Sequence, residues 1–231
     1  KAMYPQGGEK VLIYHVTGEK VPEGKLPLDV GAVVLNCTTI SSIARYCRTG
    51  LPLVKKCVTV DGSAVKNPMN VLVPIGMRMK DVFEATGGFK EEPKMVLYGG
   101  PMMGIAVPDL EQPILKNTNA ILAFGEAEAT PPEPTACIKC GKCIAHCPLS
   151  LMPCEMETAY KKGNIERLMH LKVNLCMECG CCSFICPAHR PLVQTNKLAK
   201  AQVMAYKNAL KAKAEAEKAK LEAEKQKEAA K

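Results

Sequence analysis

The sequence has no tryptophan, and its aromatic residues are four phenylalanines and six tyrosines among 231 residues. Proteins that bind single-stranded nucleic acids stack bases on aromatic rings, so this composition predicts no nucleic-acid partner. No run approaches the roughly 18 consecutive apolar residues that a membrane-spanning helix needs. The first residues also lack the basic start, apolar middle and small-residue cleavage site of a secretory signal. We therefore expect a soluble polypeptide whose membrane association is peripheral, through partners.

Positive charge is concentrated near the C-terminal end. The formal net charge is +8, and residues 197–231 contain ten lysines and five glutamates, which supply +5 of it. The remainder is only mildly basic, so charge also argues against nucleic-acid binding. Residues 196–231 are mainly Ala, Lys and Glu, which favours a helical tail. Because the first residues are typical of the middle of a domain, we expect further sequence before Lys1.

Cysteine, in contrast, is abundant, with thirteen residues. In a chain without a secretion signal this number argues against a disulfide framework and indicates metal binding in a reducing compartment. Eight cysteines form two runs of equal spacing, each followed by proline: Cys137-x2-Cys140-x2-Cys143-x3-Cys147-Pro148 and Cys176-x2-Cys179-x2-Cys182-x3-Cys186-Pro187. This spacing is typical of two-cluster ferredoxins, in which the fourth cysteine of each run binds the other cluster.

The runs therefore predict two [4Fe–4S] clusters with crossed ligands. We assign the first cluster to Cys137, Cys140, Cys143 and Cys186, and the second to Cys176, Cys179, Cys182 and Cys147. Crossed ligation would bring the clusters close together, which suits electron transfer between them. Structural zinc sites commonly use separate C-x2-C pairs, which do not account for four-cysteine runs ending in proline.

Other cysteines and two histidines lie outside this pattern. We interpret the cysteines as small buried or neutral thiols. His146 and His189 are expected to tune the surroundings or face solvent, because both ligand sets are already complete. The cysteines concerned are Cys37, Cys47, Cys57, Cys154 and Cys181.

Composition and apolar patterning predict an α+β, multidomain fold. We divide the chain into residues 1–50, 51–125, a linker at 126–134, 135–195 and a helical tail at 196–231. Strands are expected at 11–14, 32–35, 58–60, 71–73, 95–98 and 120–124, and helices at 40–48, 78–85, 153–162 and 165–172. With a hairpin turn at Asp61-Gly62, residues 51–125 fit a β-grasp domain. The two helices between the cysteine runs predict an α-helical two-cluster ferredoxin domain at 135–195.

Residues 1–50 contain two turns with polar side chains. Tyr4, Gly7 and Glu9 belong to the first turn, and Asn36 and Thr39 belong to the second. Taken alone, these residues fit a ligand site no better than they fit an ordinary turn and a helix cap.

Several segments resemble the C subunit of the Rnf complex, a membrane-bound ferredoxin:NAD⁺ oxidoreductase that couples electron flow to Na⁺ or H⁺ transport. They are Tyr4-Pro5-Gln6-Gly7-Gly8-Glu9-Lys10, Thr17-Gly18-Glu19-Lys20-Val21-Pro22, Leu26-Pro27-Leu28-Asp29-Val30-Gly31, Gly99-Gly100-Pro101-Met102-Met103-Gly104 and both cysteine runs. The resemblance implies a peripheral electron-transfer subunit on the cytoplasmic side of the cell membrane. It implies other subunits of the complex as partners, NAD(H) as substrate, and a soluble-ligand-binding β-grasp domain at 51–125.

The first segment more distantly resembles the flavin subunit of respiratory complex I. By that resemblance residues 1–50 are the C-terminal part of an α/β flavin-binding domain, with Tyr4, Gly7, Glu9, Asn36 and Thr39 beside FMN. Gly8 and Leu35 depart from that pattern, since that subunit has a Glu and an Asn there. The glycine-rich loop that binds the flavin phosphate in that family is expected upstream of Lys1.

Three alternatives share parts of this pattern. A cobalamin reductase of bacterial microcompartments has the same domain order, and a flavin-free electron-transfer module would need only the cysteine runs. A corrinoid-binding β-grasp protein would not need the eight cysteines. In the electron-transfer role that the resemblance implies, no residue needs to act as a general acid or base, so no catalytic residue is assigned.

Overall fold

The computed structural model describes residues 3–229, with the backbone alone described at 219–229. The chain divides into two compact units, Lys1–Glu133 and Pro134–Lys231. The first unit contains α1 (Glu9–Thr17), α2 (Cys37–Thr49), β1 (Lys55–Asp61), β2 (Met69–Pro74), α3 (Met79–Ala85), β3 (Met95–Tyr98), β4 (Ile105–Ala106), β5 (Ala120–Phe124) and α4 (Glu126–Ala129). The second contains α5 (Lys142–Ala145), α6 (Pro153–Lys161), α7 (Ile165–His170), α8 (Cys181–Phe184) and α9 (Leu192–Ala229). This mixed content confirms the α+β class.

The predicted strand at 11–14 is wrong, because this run lies inside helix α1. A short apolar run cannot be assigned to strand or helix by periodicity alone. The ends of α1 carry helix signals: Glu9 places negative charge in the first turn, and Gly18 ends the helix in the left-handed conformation. The predicted strand at 32–35 is also wrong, since this segment has no regular structure. The expected helix at 40–48 is confirmed as α2.

The five strands form one mixed sheet in the order β2-β1-β5-β3-β4. The central strands β1 and β5 are parallel, and the other neighbours are antiparallel. Helix α3 covers the sheet through Met79, Val82 and Phe83, which are buried against Val58 and Val60. Four predicted strands and this helix are confirmed, whereas the two-residue strand β4 was not predicted. The arrangement is that of a β-grasp domain.

Strands β1 and β2 pair as expected, but residues 62–68 join them instead of a two-residue turn. Gly62 has φ 117° and lies so close to the Ala123 carbonyl that a Cβ would overlap it. The Ala64 N–H donates to the same carbonyl at 3.0 Å. The chain leaving β1 is therefore held against β5 before it returns as β2.

The second unit is helical among its described residues. The predicted helices between the cysteine runs are confirmed as α6 and α7, separated by Gly163 with φ 64°. Helix α9 begins at Leu192, earlier than the predicted tail, and its first turns complete the core. The core side chains are Leu151, Met156, Ala159, Leu168, Leu171, Val173, Ala199 and Val203. No helix in the described part of the chain is long and apolar enough to cross a membrane.

Candidate iron–sulfur and flavin sites

The two cysteine runs have the same backbone conformation. In each run the residue directly before the second cysteine, Lys139 or Glu178, has a positive φ of 55° or 60°. Gly141 and Gly180 follow in the left-handed conformation, and each precedes a one-turn helix, α5 or α8. These repeated turns allow three cysteines separated by only two residues to face one cavity.

The first cavity, called here the Cys137 cavity, lies at the end of the first run. Cys137, Cys140 and Cys143 line it together with Cys186 from the second run. Cys143 is buried, whereas Cys137 and Cys140 are exposed, so this cavity opens to solvent on one side. Four of its five cysteines are those that the spacing assigns to the first cluster, and the fifth is Cys154.

The second cavity, called here the Cys176 cavity, has the reciprocal composition. Cys176, Cys179 and Cys182 line it together with Cys147 from the first run. Cys179 and Cys182 are buried, and Cys147 and Cys176 are half-buried. Its lining also includes Leu149, Leu151, Pro153 and Val193, so it is more enclosed and more apolar than a typical surface site. The structure therefore brings each predicted set of four cysteines to one cavity.

Burial raises the pKa values of three of the run cysteines in the cavities, those of Cys143, Cys176 and Cys182, and neighbouring thiols add to each shift. Burial raises the pKa of Cys182 to about 12, with further contributions from Cys176, Cys179 and Cys147. Burial likewise raises the pKa of Cys143 to about 11, and the neighbouring Cys154 adds to the shift. Iron binds the thiolate form, so positively charged metal fits these cavities by stabilising thiolates that the protein alone disfavours.

The geometry differs from that of a mononuclear metal site. Among the residues described, no three His, Cys, Asp or Glu side chains are placed to hold a single metal ion. Thiols spaced around a cavity suit the four irons of a cube, each of which takes one cysteine. Four thiols in each cavity are the ligand set that a [4Fe–4S] cluster would take.

An ion pair supports the Cys137 cavity from inside the second unit. Glu157, 1% exposed, accepts hydrogen bonds from Arg190 Nε at 2.8 Å and pairs with Lys161 Nζ at 2.9 Å. Arg190 Nη1 also donates to the Thr135 carbonyl at 3.2 Å. Hydrogen bonding to Glu157 is the main cause of the raised pKa of Arg190. Arg190 therefore connects the chain beyond Cys186 to α6 and to the segment before Cys137.

Sequence reasoning missed this pair and two residues of α9. Lys200 Nζ donates to the Cys176 carbonyl at 2.9 Å and pairs with Glu178 at 2.6 Å. Asn196, one turn earlier, lines the Cys176 cavity. Their four-residue spacing places both on one helix face. The sequence shows this spacing. It does not show which part of the second cysteine run the helix face carrying Asn196 and Lys200 will contact.

The cysteines outside the pattern fall into two groups. Cys154 lines the Cys137 cavity, and Cys181 lines the Cys176 cavity. The other three were expected to be buried or neutral thiols, but Cys37, Cys47 and Cys57 are exposed. Burial, one of the two expected alternatives, is not realised for these three cysteines, because the helix faces and the strand face that carry them are not covered within the described chain.

Both histidines near the runs are exposed. The Nδ1 atom of His146 lies 3.0 Å from the Lys142 carbonyl, within its own turn. His189 has a φ of 49° just beyond the second run. Neither histidine lines either cysteine cavity.

The flavin-site residues lie where α1 and α2 begin. Tyr4 and Gly7 belong to the turn before α1, and Glu9 is its first residue. Asn36 caps α2 by accepting the Thr38 N–H at 2.9 Å, so the ordinary role of a helix cap is realised. Thr39 lies in the first turn of α2. All five predicted residues are exposed.

Two protein-family models match the first unit. Residues 1–45 match the model described as the Nuo51 FMN-binding domain, and residues 57–106 match the SLBB domain. The first match covers all five residues of the predicted flavin site, and the second covers most of the β-grasp sheet.

Curated relatives share one designation, the C subunit of an ion-translocating oxidoreductase complex. The chain is 45% identical over 150 residues to the C subunit of the proton-translocating ferredoxin:NAD(+) oxidoreductase complex of Clostridium ljungdahlii, covering 65% of the chain and 33% of the relative. It is 41% identical over 202 residues to the C subunit of the Na(+)-translocating ferredoxin:NAD(+) oxidoreductase complex of Acetobacterium woodii. This match covers 87% of the chain and 46% of the relative. The C subunit from Methanosarcina acetivorans is 38% identical over 208 residues, with 90% and 46% covered.

The similarity covers most of this chain but only part of each relative. The chain spans between a third and a half of the length of these relatives. The similarity nevertheless extends over most of the chain and confirms the resemblance of its sequence motifs. Over most of its length this chain is therefore similar to the C subunits of Rnf-type ion-translocating oxidoreductase complexes.

Proposed function

We propose that this chain is the peripheral electron-transfer part of an Rnf-type ferredoxin:NAD⁺ oxidoreductase complex at the cytoplasmic side of the cell membrane. It would relay electrons between NAD(H) and FMN on one side and partner subunits on the other, through two [4Fe–4S] clusters. The observation that carries this proposal is the pair of cavities, each lined by three cysteines of one run and the fourth of the other.

The chain's contribution to this relay is to hold, enclose and tune the clusters. When bound, FMN exchanges two electrons with NAD(H), and the clusters carry single electrons. Cys137, Cys140, Cys143 and Cys186 would hold one cluster, and Cys176, Cys179, Cys182 and Cys147 the other. The lining of the Cys176 cavity is largely apolar, and two of its cysteines, Cys179 and Cys182, are buried. Water access and hydrogen bonds to sulfur are the means by which a protein adjusts cluster potential.

The flavin side of the relay would use the helix starts of the first unit. Tyr4, Gly7 and Glu9 would approach the flavin from the turn before α1, and Asn36 and Thr39 from the start of α2. The match of this segment to an FMN-binding domain supports the assignment. A flavin phosphate needs several backbone N–H donors, normally from a glycine-rich loop at a helix start. Such a loop is not found between Lys1 and Gly50.

The names of the relatives support the ion-translocating complex over the alternatives. These relatives carry the names of ion-translocating oxidoreductase components, so the comparisons do not favour a cobalamin reductase. The FMN-binding-domain match likewise argues against a flavin-free module.

Anaerobic iron and sulfide analysis of the purified chain tests the proposal. By the two-cluster pattern we expect about eight iron and about eight sulfide per chain. Four of each would mean that one cavity does not assemble a cluster. Zinc in place of iron would overturn the electron-transfer assignment.

A further inference from the structure

The lining of the Cys176 cavity contains one side-chain amide among its described residues, that of Asn196. The rest of that lining consists of cysteines, glycine and apolar side chains. Asn196 is 1% exposed and stands in the second turn of α9, between the buried Val193 and Ala199.

The nitrogen and the oxygen of the Asn196 amide differ in their hydrogen-bond partners. Nδ2 lies 4.0 Å from the Cys176 sulfur, a long contact that is suited to the large sulfur atom. Oδ1 has no hydrogen-bond partner within the part of the chain that the structure describes. Burying an unpaired amide oxygen lowers stability, so Asn196 is not explained by folding alone. Its N–H end points at a predicted cluster ligand.

The loop that carries Cys176 is also fixed from the same helix face. Lys200, one turn beyond Asn196, donates to the Cys176 carbonyl at 2.9 Å and pairs with Glu178 at 2.6 Å. These contacts keep Cys176 at a constant position relative to α9. The Lys200 contacts therefore tie the loop that carries Cys176 to the helix that carries Asn196.

We propose that Asn196 is a positioning residue that raises the reduction potential of the cluster held in the Cys176 cavity. This inference rests on the proposed function, because it requires a cluster there. An N–H directed at a ligand sulfur withdraws electron density and stabilises the reduced cluster, which carries one more negative charge. The Cys137 cavity has no side-chain amide in its described lining, so the effect would be confined to one cluster.

The test is a redox titration, followed by electron paramagnetic resonance, of the whole chain with both clusters assembled. Asn196→Leu removes the donor and keeps the volume, and Asn196→Asp keeps the shape but replaces the donor with a negative charge. We expect Asn196→Leu to reduce the reduction equilibrium constant of that cluster about tenfold, equal to about 59 mV for one electron. Asn196→Asp should reduce it further, while the other cluster stays unchanged.

Thr195→Val is the matched control. Thr195 is buried in the same helical turn, but its hydroxyl donates to the Pro191 carbonyl at 3.0 Å, and it does not line the cavity. It should leave both potentials unchanged. If Asn196→Leu fails to assemble the cluster, the potential of the nearly isosteric Asn196→Asp variant tests the role of Asn196 instead.

Two other outcomes separate the inference from the proposed function. Wild-type potentials in cluster-loaded Asn196 variants would overturn the role of Asn196 and leave the proposed function intact. A wild-type chain without a cluster in the Cys176 cavity would overturn both.

Discussion

At the scale of single residues, the position of the fourth cysteine of each run is the main support for crossed ligation of the two clusters. Cys147 belongs to the first run, yet it lines the cavity of the second, where its sulfur accepts the Leu151 N–H at 3.4 Å. Cys186 makes the reciprocal exchange. The cysteine spacing alone predicts these two sets, because the three-plus-one rule is a property of the run.

Replacing Cys147 with serine should therefore alter the cluster of the other run. We expect Cys147→Ser to change the spectrum and iron occupancy of the cluster bound by Cys176, Cys179 and Cys182. Electron paramagnetic resonance of the reduced protein measures this. Cys154→Ser is the control, since Cys154 lines a cavity but is outside both predicted sets. A change confined to the Cys137 cluster would contradict crossed ligation.

The buried pair of Glu157 and Arg190 supports a second prediction. Glu157→Gln leaves Arg190 beside a neutral amide, and losing one partner of a buried ion pair costs about 3–5 kcal/mol. Because the Arg190 side chain is 17% exposed and can regain water contacts, we expect the free energy of unfolding to fall by about 3 kcal/mol, the lower end of this range. Denaturant titration of the cluster-loaded protein measures the free energy of unfolding.

Glu155→Gln is the matched control for this change. Glu155 lies on the same helix, but its ion pair with Arg167 is about half exposed at both partners. Exposed pairs contribute about 0–1 kcal/mol, so this variant should be close to wild type. Equal effects of the two substitutions would show that burial does not distinguish them.

At the scale of elements, α9 has two parts with different roles. Asn196, Ala199 and Val203 are buried against the rest of the unit, whereas the side chains described from 207 to 218 are all exposed. The sequence predicted this division, since the apolar stripe thins beyond Leu210. It did not predict that the helix begins at Leu192 and meets the second cysteine run.

Truncation at two points tests this division of α9. A chain ending at Leu210 should keep both clusters and its melting temperature, because only exposed side chains are lost among those described. A chain ending at Asn196 loses Ala199, Lys200 and Val203, and we expect a clear decrease in melting temperature with loss of the Cys176 cluster. Thermal unfolding and iron analysis measure both effects. Weaker assembly into the complex after the first truncation would instead show that the tail contacts a partner or lipid.

At the scale of the whole molecule, flavin binding is the property for which chain length matters. Charge-assisted hydrogen bonds to phosphate are among the strongest a flavin makes. We therefore expect FMN to bind weakly to this 231-residue chain and tightly to the full-length C subunit of Acetobacterium woodii. Titration of both with FMN, followed by flavin fluorescence, measures the difference. Tight binding by this chain would show that the site is misplaced, and no binding by the longer protein would favour a flavin-free module.

The sequence by itself determined the parts of this protein that depend on neighbouring residues. Equal cysteine spacing produces equal turns, because a positive φ at Lys139 or Glu178 and a left-handed glycine act within a few residues. Helices α2, α3, α6 and α7 likewise follow from local periodicity. Where the local signal was short, as at 11–14, the interpretation as a strand was wrong.

Tertiary structure alone decided what surrounds the candidate clusters. Asn196 contacts Cys176 across 20 residues, and Arg190 reaches Glu157 across 33. Neither contact follows from residue type or spacing. The first requires α9 to pack against the loop of Cys176, and the second requires the chain beyond Cys186 to pack against α6. The sequence predicted which run cysteines line the same cavity, and the packing of the helices determined which polar groups reach them.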